Sequence, residues 1–185
     1  SGLISRGSKV AERLLGLDYA CVILDEAHRA RRRNPHRPQE AAEPNNLLQF
    51  MRQIAVHTRS LLLATGTPIQ LHPIEAWDLL DVLAEGNEHV LGNAYSPWRH
   101  GATALRMITG EEPLPEDMIG MWEWVRNPLP PRDEGRDYEM LRRRLEVPED
   151  KAVVPGDAVS ALTASDEERI RRRFGEHVCE HNPLI

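Results

Sequence analysis

Cysteine is nearly absent from this 185-residue chain: Cys21 and Cys179 are the only two. Two cysteines cannot build a disulfide framework, and their scarcity points to a reducing, cytoplasmic compartment. Cys21 stands in an apolar run and reads as a buried small hydrophobe. Long hydrophobic runs are missing too. None approaches the roughly 20 residues that span a bilayer, so a membrane-spanning helix is excluded. No signal-peptide pattern opens the chain. Ser1-Gly2 comes without an initiator Met, so the chain is expected to be processed or cut from something larger. Long lysine-rich tails are also lacking, which favours a prokaryotic source. A surplus of positive charge is lacking as well. Lys and Arg total 23 against 29 Asp and Glu, a net charge of −6 that argues against nucleic-acid binding over the whole surface.

The composition that is present suits one domain, or one domain with an insertion. Hydrophobic residues make up 41 %, enough for a sizeable core. Basic charge is local. It gathers at Arg29 with Arg31-Arg32-Arg33, at Arg142-Arg143-Arg144, and at Arg169 with Arg171-Arg172-Arg173. Runs of this kind read as solvated helix faces or loops.

The first half alternates helix and strand. Val10, Leu14 and Leu15 are spaced for a short helix over 8–15, ended by Gly16. The apolar run Tyr19-Ala20-Cys21-Val22-Ile23-Leu24 predicts a strand buried on both faces of a parallel sheet. Residues 29–44 are rich in Arg, Pro, His and Asn and read as a long loop. Asn45 or Asn46 caps a helix whose apolar face is Leu47, Phe50, Met51 and Ile54. A second buried strand follows at Leu61-Leu62-Leu63-Ala64. Pro73 then opens a helix carrying Ile74, Trp77, Leu80 and Leu83. Strand, helix, strand, helix is a parallel α/β unit. After Glu85-Gly86-Asn87 the strand signals stop. Helical patterns recur over 102–108, 116–126, 137–145 and 166–178, the last with Ser165 and Glu168 as a capping box.

Two polar words end the two strands. Asp25-Glu26-Ala27-His28 follows the first strand at once. Ligand sites of open α/β sheets form at the carboxyl ends of strands. One carboxylate there can hold a hydrated magnesium ion on a triphosphate, a hard cation that wants oxygen ligands. The next can polarise a water for attack on the γ-phosphate. Thr65-Gly66-Thr67-Pro68-Ile69-Gln70 ends the second strand, with two hydroxyls and a flexible glycine. Alone it would read as a turn. Its place on the next buried strand after the acidic word favours a polar loop beside that word.

Together these words resemble a known family. Asp25-Glu26-Ala27-His28 is similar to motif II of superfamily-two helicases, and Thr65 to Gln70 is similar to motif III in its Swi/Snf form. Leu17-Asp18-Tyr19 resembles the lead-in to motif II. Ile74-Glu75-Ala76-Trp77-Asp78-Leu79-Leu80 resembles the helix after motif III. Gly2-Leu3-Ile4-Ser5-Arg6 is similar to motif Ib, and Asn182-Pro183-Leu184-Ile185 to the start of the last segment of the first motor domain. The strong resemblance covers Ser1 to about Leu83. It implies an α/β fold, a partial RecA-like ATP-binding domain at 1–85 with a parallel sheet. A mostly helical insertion would fill 86–181, and 182–185 would begin the domain's last segment.

The resemblance implies roles residue by residue. Asp25 would bind Mg2+ through water and Glu26 would be the general base. His28, Thr65, Gly66, Thr67 and Gln70 would couple nucleotide state to DNA contact, and Arg6 would touch nucleic acid. Leu71-His72 stand where the family has Asn-Asn, so no DNA contact carries over to those two positions. ATP with Mg2+ is the implied cofactor pair. Double-stranded DNA, a second motor domain of the same chain and a protein docking on the insertion are the implied partners. No Gly-x-x-x-x-Gly-Lys-Thr/Ser phosphate loop occurs in these residues, and the family places it upstream. This stretch by itself is therefore expected to be inactive.

Other constellations read as structural. His177-x-Cys179-x-His181 matches no common zinc spacing and reads as helix-end residues. His28 and His36 flank an arginine-rich loop without a metal pattern. Trp122 reads as core, and the role of Trp124 stays open. Two classes of function follow. One is an ATP-driven translocase on double-stranded DNA that remodels protein–DNA complexes without separating strands. The other is a degenerate, non-catalytic motor fold or a protein-interaction module; an intact Glu26 weighs against it.

Overall fold

The computed structural model describes residues 4, 7–33, 43–113, 115, 118–129, 136–155, 169 and 172. Arg6, the triad His177, Cys179 and His181, the segment 182–185 and most of the expected helix 166–178 lie outside the described residues. The chain divides into two compact units, Ser1–Gly86 and Asn87–Ile185. The fold is mixed α/β, with a small parallel sheet and several helices.

The first unit is built on two strands. β1 is Val22–Asp25 and β2 is Leu61–Ala64. They pair in parallel with Val22 opposite Leu61 and Asp25 opposite Ala64. Backbone pairing extends before both strands: Tyr19 N–H donates to the His57 carbonyl at 2.8 Å, and Val22 N–H to the Ser60 carbonyl at 2.9 Å. A parallel pair needs a crossover, and helix α2, Asn46–Ala55, supplies it. Asn45 is its N-cap, with the Leu48 amide donating to Asn45 Oδ1 at 2.8 Å. Leu48, Met51 and Ile54 fall on one face and are buried, each contributing about 1.5–3 kcal/mol. They form one core with Val22 and Leu24 of β1, Leu61 and Leu63 of β2, and Leu79 and Val82. The last two belong to helix α3, Ile74–Leu83. Helix α1, Lys9–Leu15, is capped by Ser8, ends at Gly16 and packs on α2.

Three expectations need correction here. The strands are covered on one face only. Ile23 is 66 % exposed and Leu62 54 %, and both sit on the opposite face from the core. The apolar run signals a sheet strand, while the covering of each face depends on partners that the run does not encode. Cys21 precedes the first ladder pair and is exposed, not buried. In α3 the buried apolar positions are Ile74, Trp77, Leu79 and Val82, with Leu80 and Leu83 half-buried. The helix is rotated from the expected face because Glu75 and Asp78 are also drawn inside.

The second unit shows helices and no strand among the described residues: α4 Glu88–Leu91, α5 Gly101–Ile108, α6 Met118–Arg126 and α7 Arg136–Arg144. Trp98 and Trp122 are buried. Trp98 meets Trp124 edge-to-face at 4.9 Å between ring centroids and donates its indole N–H to the Trp124 carbonyl at 2.7 Å. Buried Asn127 acts as a polar hub. Its Oδ1 accepts from the Asn93 amide at 3.0 Å, and its carbonyl accepts from Ser96 Oγ at 2.6 Å. Gly92 must be glycine here. Its φ is +76°, and a Cβ would lie 2.2 Å from Asn127 Oδ1.

The run Arg142-Arg143-Arg144 is not a uniform solvated face. Arg142 is buried, and its guanidinium donates to the carbonyls of Pro148, Lys151 and Leu129 at 3.1, 2.8 and 3.2 Å. Burial lowers its pKa, partly opposed by the charge of Glu149. Arg143 and Arg144 face solvent, as neighbours about 100° apart around a helix allow.

Candidate functional site

Parallel pairing puts Asp25 and Ala64 side by side, so the residues that follow both strands emerge at the same sheet edge. Asp25 ends β1 exposed, with its Oδ1 accepting the Glu26 amide at 2.9 Å. Glu26 then turns the chain with φ 53° and ψ 47°, a left-handed conformation. That conformation costs a non-glycine residue about 1–3 kcal/mol and clusters at functional sites. The turn leads into a single 3-10 turn, Ala27–Arg29. Ala27 and Ala30 are buried against the core and fix this turn, which aims His28 at the second strand.

His28 meets both words. Its Nδ1 is 2.9 Å from Thr65 Oγ1 and 3.2 Å from Glu26 Oε2. A bare Nδ1 lone pair would face the carboxylate oxygen of Glu26, so the proton is assigned to Nδ1. Thr65 Oγ1 also accepts the Thr67 amide at 3.2 Å, which shapes the loop. Gly66, Thr67 and Gln70 are exposed. No atom lies within 4 Å of where a Gly66 Cβ would sit. Of the residues singled out from sequence, Asp25, Glu26, His28, Thr65, Gly66, Thr67 and Gln70 thus belong to one edge and its loop.

Beside Asp25 and Glu26 opens a cavity of about 590 Å³, lined also by Arg29, Arg33, Asn45 and Leu47. This is a small-molecule size. Two carboxylates and two guanidiniums on its wall suit a ligand that is itself anionic and carries a cation. Among the described residues no group of three or more His, Cys, Asp or Glu could hold a metal by protein ligands alone. A magnesium ion does not need one. It keeps several waters and commonly takes one or two carboxylates plus phosphate oxygens. An exposed Asp25 on a cavity of this size fits that mode.

Sequence reasoning missed a second set of residues behind the edge. Arg31 Nη1 donates to Glu75 Oε1 at 3.2 Å and to Gln70 Oε1 at 3.1 Å. Glu75 Oε2 accepts the amides of Gln70 and Leu71 at 2.8 and 2.9 Å. Arg32 forks onto Asp78 through Nε and Nη2, at 3.0 and 2.7 Å to Oδ1, and its main-chain amide reaches Oδ2 at 2.8 Å. Glu75 is 3 % exposed and Asp78 1 %. Burial pushes the Glu75 carboxyl up, but the amides of Leu71 and Gln70 and the charge of Arg31 outweigh it. Its pKa lies below the ordinary value. The expected solvated loop at Arg31 and Arg32 is thereby corrected to a pair of ion-paired anchors. The usable signal was two acids at i and i+3 among the apolar residues of α3.

No helix among the described residues is long and apolar enough to cross a membrane. No family model, no curated protein and no solved structure matches this chain.

Proposed function

We propose that this chain is part of an ATP-dependent motor of the Swi/Snf type, one that couples ATP hydrolysis to movement on double-stranded DNA or to remodelling of protein–DNA complexes. One observation carries the reading. Two polar words 37 residues apart are joined at one edge of a parallel sheet by the His28–Thr65 hydrogen bond. An acidic pair after a strand is common; an acidic word whose histidine is bonded to a threonine loop on the neighbouring strand is the arrangement that nucleotide-dependent coupling needs.

In this reading Asp25 holds hydrated magnesium on the triphosphate, and the ion neutralises charge on the transferring phosphoryl group. Glu26 accepts a proton from the water that attacks the γ-phosphate. Its φ of 53° lifts the side chain off the strand direction toward the cavity that Asp25 also lines. His28 Nδ1 lies within reach of both Glu26 Oε2 and Thr65 Oγ1, so a shift of the exposed loop is felt at the base. The exposed loop 66–70 is the surface offered to DNA. A longer polypeptide would supply the phosphate loop and the second motor domain, and Arg6 of this chain would touch nucleic acid. The second unit would be a protrusion that docks a protein partner. A cytoplasmic, prokaryotic setting suits the reading.

ATP hydrolysis by the longer polypeptide, measured with and without linear double-stranded DNA, tests this function. We expect stimulation by DNA and displacement of a triplex-forming strand without duplex separation. Hydrolysis indifferent to DNA would contradict the translocase, and no hydrolysis at all would return the chain to the non-catalytic class.

A further inference from the structure

Glu75 belongs to neither polar word, yet its single carboxylate bonds the threonine loop and Arg31, on the segment that follows the acidic word. Oε2 takes the amides of Gln70 and Leu71, which close the threonine loop. Oε1 takes Arg31, three residues beyond His28. Arg31 in turn holds the Gln70 side chain. The carboxylate is buried at the first turn of α3, where its main chain is fixed by the Glu75 amide donating to the His72 carbonyl at 3.0 Å. The rest of α3 is anchored in the core through Leu79 and Val82. A rigid helix thus presents one acceptor group to the ends of two segments that meet at His28 and Thr65.

We propose that Glu75 is a positioning residue that sets the distance between the acidic word and the threonine loop. Asp78, one turn along, marks the contrast. Among the described residues it is bonded to Arg32 and not to the threonine loop. It anchors one segment, whereas Glu75 ties two together. Loss of Glu75 frees the loop from the turn that carries His28, and the 2.9 Å contact between His28 and Thr65 loses its frame. The inference adds to the proposed motor a coupling element outside the two polar words, but it rests on this chain's geometry alone.

The test needs no nucleotide, so it can fail while the motor reading stands. The chain is labelled with 15N, and two signals are followed by NMR: the ring nitrogens of His28 and the exchange rate of the Thr67 amide. In Glu75→Gln one edge of the side chain becomes a donor and cannot serve both the loop amides and Arg31. We expect the His28 ring signals to move and Thr67 exchange to rise roughly tenfold or more, as loss of a hydrogen-bonded frame allows. Asp78→Asn should lower the melting temperature yet leave both signals in place. A Glu75→Gln protein that melts earlier with an unchanged His28 ring overturns the proposal. So does an Asp78→Asn protein that perturbs His28 equally. Should Glu75→Gln not fold, Arg31→Met reads the same link, since it removes the guanidinium and leaves the loop amides on Glu75. An unchanged His28 ring in Arg31→Met likewise overturns it.

Discussion

His28 Nδ1 and Thr65 Oγ1 are 2.9 Å apart across 37 residues of chain, and this contact is the closest side-chain link between the two polar words. A net contribution of about 0.5–1.5 kcal/mol is ordinary for such a bond. His28→Ala and Thr65→Val combined in a double-mutant cycle of chemical unfolding should therefore show a coupling of about 1 kcal/mol. Strict additivity would mean that the pair does not interact in solution.

Glu26 holds a left-handed backbone conformation that glycine adopts freely. Glu26→Gly should therefore be neutral or stabilising, by up to about 1 kcal/mol, although it deletes the proposed base and the contact with His28. Denaturant unfolding checks this. A loss of more than about 1 kcal/mol would show that the side-chain contacts outweigh the backbone strain.

Breaking a buried ion pair from one side leaves a charge without compensation. Arg32→Ala strands Asp78, which is 1 % exposed, and should cost about 3 kcal/mol or more. Arg143→Ala removes the partner of Glu139 from a site where the arginine is 77 % exposed, and should cost under about 0.5 kcal/mol. Equal effects in thermal unfolding would contradict the buried placement of Asp78.

The Glu75 carboxyl has a folded pKa below its unfolded value of about 4.5. In the window between the two values the unfolded chain binds more protons, so stability rises with pH there. The contribution of Glu75 is fully present above the unfolded pKa and lost as pH falls through the folded one. The melting temperature of the native chain should exceed that of Glu75→Gln at pH 7, and the gap should narrow steadily below pH 4.5. A gap that stays constant down to pH 2.5 would show that the carboxylate charge is not what holds the loop.

What could be read from sequence was mostly local. The cap at Asn45 and the stop at Gly16 act within one helical turn, and each appears where its residue type predicts; Ser8, read as the first residue of its helix, is instead the N-cap. Both short apolar runs carry strands in parallel register, Val22–Asp25 at the end of the six-residue run and Leu61–Ala64 over the whole of the other, because short apolar runs bounded by turns have few other uses. The misses involve distance. Arg31 and Arg32 looked solvated because their partners, Glu75 and Asp78, stand 44 and 46 residues away. Arg142 was hidden in a basic run, where only the carbonyls it reaches distinguish it from Arg143. Ile23 and Leu62 are apolar on a face that the core does not cover, and hydrophobicity alone cannot say which face is covered.

The division of labour between Asp25 and Glu26 lies at the heart of the proposed chemistry. It is read from ATP hydrolysis, with double-stranded DNA present, by a longer polypeptide that carries these residues, across a magnesium series. Glu26→Gln keeps the size of the side chain and removes the base, so ATP binding should persist while turnover falls at least about a hundredfold. Asp25→Asn weakens ion placement instead, so its defect should be partly relieved as magnesium rises. Undiminished hydrolysis in Glu26→Gln, or the same metal-insensitive defect in both variants, would contradict the assignment of these two carboxylates.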